Sequence, residues 1–473
     1  MSLVIYDLVL LGLFVIFSGI FLYVNRRNLS KDGPFFLYRT KWGVKLIEHV
    51  GNKYKKTLNT LSYVSIGLGY ILMTSMLYLI IQTVYLYLTS PISEMIKAPP
   101  IAPLIPYFPK LFGLQSFFPP FYFIYFIVAI LIVATVHEFS HGIFARRFGV
   151  KIKSTGFAFL KYFPALFGAF VEQEEKHMKK AKKLEQMSIL SAGVFANLLT
   201  AILFYIILFW FFTWTFTAMG VAFNTYSYTG VGIQNITSVN GVELTDHSYE
   251  GILDLLNETG FNKIEANGRS YVATKEILSE QEEIQGIVIL YDDAPAINSD
   301  LGNIISEING EEIDSIEKLE IEIKRYSPGD VAKIKTISDE GEIESEITLG
   351  ENPEKPGLPW LGIGFYDQSR TGFRGAILSL FPSYAKPHIY YQPKNDLSLF
   401  VKDLLWWIVI INFLVALFNM MPLGILDGGR FFYLTVLGIT KSEKISEKLF
   451  KFMTYFILFL FVILMLKWAL GFF

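Results

Sequence analysis

The stretch FYFIYFIVAILIVATVHEFSH, residues 121–141, decides the fold. It is an apolar run up to Val136, and the motif HEFSH (residues 137–141) stands at its end. Two His four residues apart project from one helical face, so their ring nitrogens can bind one Zn²⁺. The Glu between them can accept and donate protons. Ionisable groups inside hydrocarbon are costly, and their presence at membrane depth therefore indicates a function.

Composition predicts a polytopic α-helical membrane protein. The 473 residues are 52% hydrophobic, with 43 Phe, 26 Tyr and no Cys, which removes disulfides and thiolate metal ligands. A helix needs about 20 apolar residues to cross a hydrocarbon core of about 30 Å. Six segments are predicted to do so: about Leu8–Val24, Leu61–Leu88, Phe121–Ala145, Met187–Trp214, Leu404–Met421 and Phe452–Phe473.

Basic residues predict the orientation of these spans. Segments 25–60, 146–186 and 426–451 hold 24 of the 41 Lys and Arg, whereas 90–120 holds two. The positive-inside rule then places the N-terminus outside and the basic segments 25–60, 146–186 and 426–451 inside. We expect a protein of the cell membrane. Segment 215–403 falls outside, with 14 basic and 31 acidic residues, as suits a solvated insert. The overall net charge of −2 gives no indication of nucleic-acid binding.

Two loops next to the spans have distinctive patterns. Residues 90–120 contain eight prolines and are expected to form a stiff connector on the membrane surface. Residues 154–172, STGFAFLKYFPALFGAFVE, are too short to cross. Strand-like pieces joined at Pro164-Ala165 predict either a hairpin that dips into the inner face or an interfacial amphipathic loop.

The outer insert contains a weak internal repeat. ITSVNGVEL (236–244) recurs as ISEINGEEI (305–313), each a β-branched run with an Asn-Gly turn followed by a helix-period stretch, Tyr249–Asn257 or Ile316–Tyr326. The second copy, with Ser327-Pro328-Gly329-Asp330 and a following strand, resembles a PDZ domain, and the first is a partial match. Such domains can take an extended peptide as an added strand. The other interpretation is a small α+β spacer without a ligand.

A third metal ligand is needed, because a catalytic zinc keeps three protein ligands and one open position. The fifth span ends NMMPLGILDGG (419–429), where Pro422 must disrupt the helix and the glycines let the backbone fold back. Asp427 on this broken end is the natural third ligand. Both halves reach the same depth, since His141 lies five residues before Arg146 and Asp427 lies three before Arg430.

HEFSH in one span together with NMMPLGILDGG in a later one resembles the site-2 protease family of intramembrane zinc metalloproteases. In the fourth span, GVFAN (193–197) matches the family's GxxxN pattern, and segment 154–172 is similar to its membrane-reentrant hairpin. The resemblance implies one Zn²⁺ per chain held by His137, His141 and Asp427, although this ligand set does not exclude Co²⁺ or Mn²⁺. It also implies that transmembrane proteins or peptides in the lipid bilayer are the substrates.

The resemblance gives the site residues their expected roles. Glu138 is the general base that activates water and later protonates the leaving amine. Asn419 is expected to bind the extended substrate backbone, with Pro422 and Asn197 as further substrate-binding candidates. Asn197 could instead hydrogen-bond a neighbouring helix. Asn412 is expected to be a packing residue.

The sequence therefore divides into five expected parts, the resemblance supplying the functional names. They are 1–120 (two spans and the Pro-rich loop), 121–221 (first half of the catalytic core), 222–352 (PDZ-like insert of one or two units), 353–403 (linker) and 404–473 (second half of the core). The leading hypothesis is an intramembrane zinc metalloprotease acting within or near transmembrane segments. The alternative is a non-catalytic membrane adaptor that binds peptides through the insert. The oligomeric state is not predicted.

Overall fold

The computed structural model describes residues 3–89, 99–100, 104–115, 118–161, 167–281, 286–299, 301–338, 341–366 and 383–470. The chain divides into two compact units. We call Met1–Phe211 with Leu399–Phe473 the helical unit and Phe212–Ser398 the sheet unit. The expected hairpin tip at Pro164-Ala165 lies outside the described residues.

The described helices, numbered along the chain, are α1 (Leu3–Val24), α2 (Trp42–Lys53), α3 (Lys55–Thr89), α4 (Phe108–Leu111), α5 (Phe123–Arg147), α6 (Glu175–Lys180), α7 (Lys183–Thr215), α8 (Tyr249–Asp254), α9 (Lys275–Ser279), α10 (Ile316–Ile323), α11 (Asp396–Asn419), α12 (Asp427–Thr440) and α13 (Glu443–Leu470). Six of them, α1, α3, α5, α7, α11 and α13, are long and apolar enough to cross a membrane within the described part. The expectation of six spans is thus confirmed by length and composition.

The described strands are β1 (Leu29–Asp32), β2 (Phe35–Thr40), β3 (Ile152–Leu160), β4 (Phe167–Gln173), β5 (Phe216–Ala222), β6 (Thr225–Tyr226), β7 (Tyr228–Gly232), β8 (Ile236–Val239), β9 (Val242–Glu243), β10 (Asn262–Ala266), β11 (Arg269–Ala273), β12 (Ile287–Asp292), β13 (Ile304–Ile308), β14 (Glu311–Glu312), β15 (Val331–Ser338), β16 (Gly341–Thr348), β17 (Gly350–Glu351), β18 (Pro359–Trp360), β19 (Ile363–Gly364) and β20 (Ile389–Pro393).

The helical unit carries an antiparallel sheet in the order β1-β2-β3-β4. Its second hairpin, β3 and β4, is one of the two alternatives that the sequence leaves open for residues 154–172. The first hairpin pairs with it along β2 and β3, as in Phe36 opposite Phe159. Beside this sheet, the short helix α2 packs against α5: a Cβ at Gly142 would meet Ile47 Cδ1 at 2.8 Å. From the sequence, residues 25–53 contribute only basic side chains that predict the orientation. In the structure, α2 within this segment packs against α5.

The chain between α11 and α12 makes the backbone break that Pro422 predicts. Helix α11 ends at Asn419 and α12 begins at Asp427. A Cβ at Gly428 or Gly429 would overlap the carbonyl oxygen of Met420 or Leu423, so only glycine fits this tight return. The break places Asp427 in the first turn of α12.

The sheet unit contains two six-stranded sheets, and each holds one copy of the sequence repeat. Asn240 and Asn309 both adopt positive φ, 51° and 47°, in their Asn-Gly turns. Their side-chain Oδ1 atoms accept equivalent hydrogen bonds, from the backbone N–H of Lys263 at 3.1 Å and of Lys333 at 2.8 Å. Residues 353–403, which the sequence suggests as a linker, contribute β18, β19 and β20.

Candidate metal centre

Three ligand atoms converge inside the helical unit. His137 Nε2 and His141 Nε2 lie 3.0 Å apart, and each lies 3.1 Å from Asp427 Oδ2. Ligand atoms in a tetrahedral zinc site with bonds of 2.0–2.1 Å are separated by about 3.3 Å. The donor set and its spacing therefore fit Zn²⁺. Within the described residues, this is the one cluster of three or more His, Asp or Glu able to hold a metal.

Helix α7 contacts the other nitrogen of each imidazole. His141 Nδ1 donates to the carbonyl oxygen of Ile189 at 2.6 Å, and His137 Nδ1 lies 3.1 Å from Nδ2 of Asn197. Ile189 and Asn197 are eight residues apart and thus share one helical face. Partners of this kind fix which ring nitrogen carries the proton and leave the other free to bind metal.

Gly193 lies midway between these two partners and directly against both rings. A Cβ at this position would lie 2.6 Å from His137 Cε1 and 2.6 Å from His141 Nε2. No side chain fits there without displacing both imidazoles. This contact gives a physical reason for the glycine of the GVFAN motif.

The side chain of Asn197 is fully buried, and its Oδ1 has no hydrogen-bond partner among the described residues. An imidazole that binds metal through Nε2 carries its proton on Nδ1 and needs an acceptor there. Rotating the amide by 180° presents Oδ1 to His137 Nδ1, because the two amide orientations occupy the same space. The chemistry of this pair therefore also fits a metal on His137 Nε2.

Glu138 lies on the same turn of α5, and the neighbouring sheet positions it. Its Oε2 accepts a hydrogen bond from the backbone N–H of Val171, in strand β4, at 3.2 Å. Strand β4 is the last strand of its sheet in the described part of the chain, so this N–H is on an edge that carries no further strand. The carboxylate is half-buried and lies beside an unpaired strand edge.

Three more residues that the sequence singles out, all in or just after α11, lie at different distances from the His137, His141 and Asp427 cluster. The side-chain nitrogen of Asn419, at the end of α11, lies 3.4 Å from His137 Nε2. Pro422 is buried in the break between α11 and α12. Asn412 is fully buried and donates to the carbonyl oxygen of Ile408, one turn earlier in its own helix, as expected for a packing residue.

One site feature that sequence analysis missed is at the beginning of α5. The buried carboxylate of Asp7, in α1, accepts from the backbone N–H groups of Phe123 and Ile124, both at 2.9 Å. It also accepts from the hydroxyl of Tyr107 at 2.7 Å. These are first-turn amides of the helix that carries HEFSH, and a negative charge there also complements the helix dipole. The available signal was an acidic residue directly before the apolar run that is predicted to begin at Leu8.

Comparison with known proteins agrees with this geometry. The model of peptidase family M50, the site-2 protease family, matches residues 125–344 and 381–464. An uncharacterized protein of Methanocaldococcus jannaschii is 26% identical over 405 residues, which cover 85% of this chain and 78% of that protein. Zinc metalloprotease RasP of Shouchella clausii is 24% identical over 189 residues, 34% of this chain and 45% of that protein.

The family match covers more than half of the chain and includes HEFSH, GVFAN and NMMPLGILDGG. Membership supports a membrane zinc metalloprotease, with His137, His141 and Asp427 as its possible metal site. The chain therefore belongs to peptidase family M50, the site-2 proteases.

Proposed function

We propose that this protein is an intramembrane zinc metalloendopeptidase that hydrolyses peptide bonds within or near the transmembrane segments of other membrane proteins. The observation that carries the proposal is the convergence of His137, His141 and Asp427 inside the helical unit, with Glu138 beside them. Six helices of the described part are long and apolar enough to cross a membrane, and ionisable side chains among such helices are costly unless they serve a function.

His137, His141 and Asp427 would hold one Zn²⁺. When bound there, zinc lowers the pKa of water and polarises the scissile carbonyl. Glu138 takes the proton from the attacking water and passes it to the leaving amine, so no covalent intermediate with the protein is needed. The N–H of Val171 holds the Glu138 carboxylate in place until substrate arrives.

The substrate must be extended where it is cut, because a transmembrane helix hides its carbonyls in hydrogen bonds. The outer edge of β4 offers backbone groups to such a segment, and a strand paired there would carry its backbone past Glu138. Asn419, whose side chain lies next to His137, would bind the same backbone, and Pro422 would shape the break that follows Asn419. Asn197 is a weaker candidate for substrate contact, since it is fully buried behind His137.

The proposal is tested with purified protein in detergent and a model transmembrane substrate. Glu138→Gln should retain one zinc per chain and lose cleavage. His137→Ala, His141→Ala and Asp427→Asn should lose the metal as well. Full zinc occupancy in Asp427→Asn would show that the third ligand is wrong, and unchanged cleavage by Glu138→Gln would overturn the mechanism.

Peptide recruitment by the sheet unit is a second candidate function, and one observation favours it. A groove of about 350 Å³ runs between α10 and the segment 358–365, with Leu319 and Ile323 on one wall and Ile363 on the other. Strand β19 pairs on its other edge with β6, so this wall is also an extended chain. A groove between a helix and a strand is how PDZ domains bind peptides. Binding of substrate-derived peptides to the isolated residues 212–398, lost in Ile323→Glu at the partly buried groove wall, would support this function.

A further inference from the structure

A cavity of about 560 Å³ lies in the helical unit where three helices end. Its walls are the first turns of α3, with Asn59 and Tyr63, the end of α5, with Arg147, and the start of α7, with Lys182 and Leu184. All three helices are long and apolar enough to cross a membrane. A cavity at their ends therefore lies at the level where lipid headgroups begin.

Two cations in this cavity have donors left to offer. Arg147 is held against α3, since its Nε donates to the carbonyl oxygen of Lys55 at 3.0 Å and its Nη2 to Asn59 Oδ1 at 2.8 Å. Its Nη1 makes no hydrogen bond with the described residues. The Lys182 ammonium has neither a hydrogen bond nor an ion pair in that same part of the chain. Two hydrogen bonds thus hold the guanidinium in position, and the N–H groups of its Nη1 remain available to a ligand.

Two further charged groups line the cavity, and both are already engaged. Lys183 Nζ donates to the carbonyl oxygen of Leu437 at 3.1 Å. Glu185 Oε2 accepts from the backbone N–H of Lys182 at 2.9 Å, at the N-terminus of α7. With Arg147, Lys182 and Lys183 against the single carboxylate of Glu185, the cavity is net positive.

The same cavity has an apolar part that a free anion would not use. Tyr63 and Leu184 line it and remain 73% and 59% exposed, and Ile66 lies one turn further along α3. A positive pocket that continues into exposed apolar side chains matches a molecule with an anionic head and a hydrocarbon tail. Basic pockets between transmembrane helices bind acidic lipid headgroups in this way.

We propose that this cavity binds the phosphate of an anionic phospholipid from the surrounding bilayer, with Arg147 and Lys182 donating to it and an acyl chain along Tyr63 and Leu184. The site is separate from the metal centre and does not depend on the proposed proteolysis.

The experiment compares full-length variants purified in mild detergent and incubated with phosphatidylglycerol or phosphatidylcholine. Bound lipid is counted by mass spectrometry of the intact complex. Wild type should retain phosphatidylglycerol in preference to phosphatidylcholine. Lys182→Gln and Arg147→Gln should each weaken retention about fivefold, the effect of one cation near a membrane surface. Arg147→Lys keeps the charge, and the exposed Lys448→Gln in α13 is the matched control.

Lys182→Gln keeps the test valid if Arg147→Gln does not fold, because the Lys182 side chain makes no hydrogen bond in the described part of the chain. Equal retention by Lys182→Gln and Lys448→Gln would overturn the proposal. Thermal shifts with inorganic phosphate separate a lipid site from a phosphate site. A stabilisation by phosphate equal to that by phosphatidylglycerol would also overturn it.

Discussion

At the scale of single residues, Gly193 is predicted to matter to the candidate metal centre, because it lies directly against both imidazoles. Gly193→Ala should lower zinc content, because the new methyl group would press on both imidazoles. The control is Gly67→Ala in α3, where a Cβ meets nothing within 4 Å and helix propensity improves by about 0.5–1 kcal/mol. Zinc per chain, measured by elemental analysis, checks both variants. Full zinc in Gly193→Ala would mean that the helices separate easily at this contact.

Asn197 is predicted to position His137 through its Nδ1 atom. Asn197→Leu should weaken zinc binding by about 10–100-fold, the usual effect of removing a hydrogen-bond partner of a metal-ligating His. Asn197→Asp keeps an acceptor and should retain zinc. Asn412→Leu is the matched control, since Asn412 is equally buried and bonds only to its own helix. Competition with a chelator measures the affinities. Unchanged zinc affinity in Asn197→Leu, together with a raised KM, would instead indicate substrate contact.

At the scale of elements, α1 anchors the helix that carries HEFSH. Asp7 accepts three hydrogen bonds at the start of α5, so Asp7→Ala should destabilise the fold by about 1–3 kcal/mol, the cost of leaving buried donors unpaired. Asp7→Asn keeps an acceptor and should be milder. Asp32→Ala, at an exposed position in β1, is the control. Thermal unfolding in detergent gives the comparison, and equal midpoints for Asp7→Ala and Asp32→Ala would contradict the capping role.

At the scale of the whole molecule, the Lys and Arg distribution predicts the orientation. A reporter fused after residue 160 should be active on the inner side, and one fused in the 300s on the outer side. The opposite pattern would place the metal centre near the outer face. It would then change which fragment of a cleaved substrate is released.

The sheet unit is predicted to exclude substrates that carry bulky outer domains. The backbone N–H of Lys394 donates to the carbonyl oxygen of Thr215 at 2.9 Å, so residues 216–393 can be replaced by a short Gly/Ser bridge with little rearrangement. The protein that lacks residues 216–393 should keep its zinc and cleave a short transmembrane peptide. It should also cut substrates with bulky outer domains faster than wild type does. A lower rate for both substrate types would favour recruitment through the α10 groove.

The candidate ligands His137, His141 and Asp427 are predictable from the sequence because zinc chemistry demands those residue types, and helical periodicity places His137 and His141 on one face. The six long helices follow equally from the length of their apolar runs. Both are local properties, since each depends on residues close together in the chain. The similar depth expected for HEFSH and NMMPLGILDGG is also local in this sense, because it is counted within each segment from its distance to the next Arg.

Only the tertiary structure decided what surrounds those ligands. Asp7 at the start of α5, the hairpin β1–β2 beside β3, and the contacts of Ile189, Gly193 and Asn197 with the imidazoles all join segments distant in sequence. No spacing rule predicts such pairings, because they depend on which helix faces pack together. The local sequence therefore determines the chemistry of the candidate centre, and helix packing determines how its candidate ligands are held.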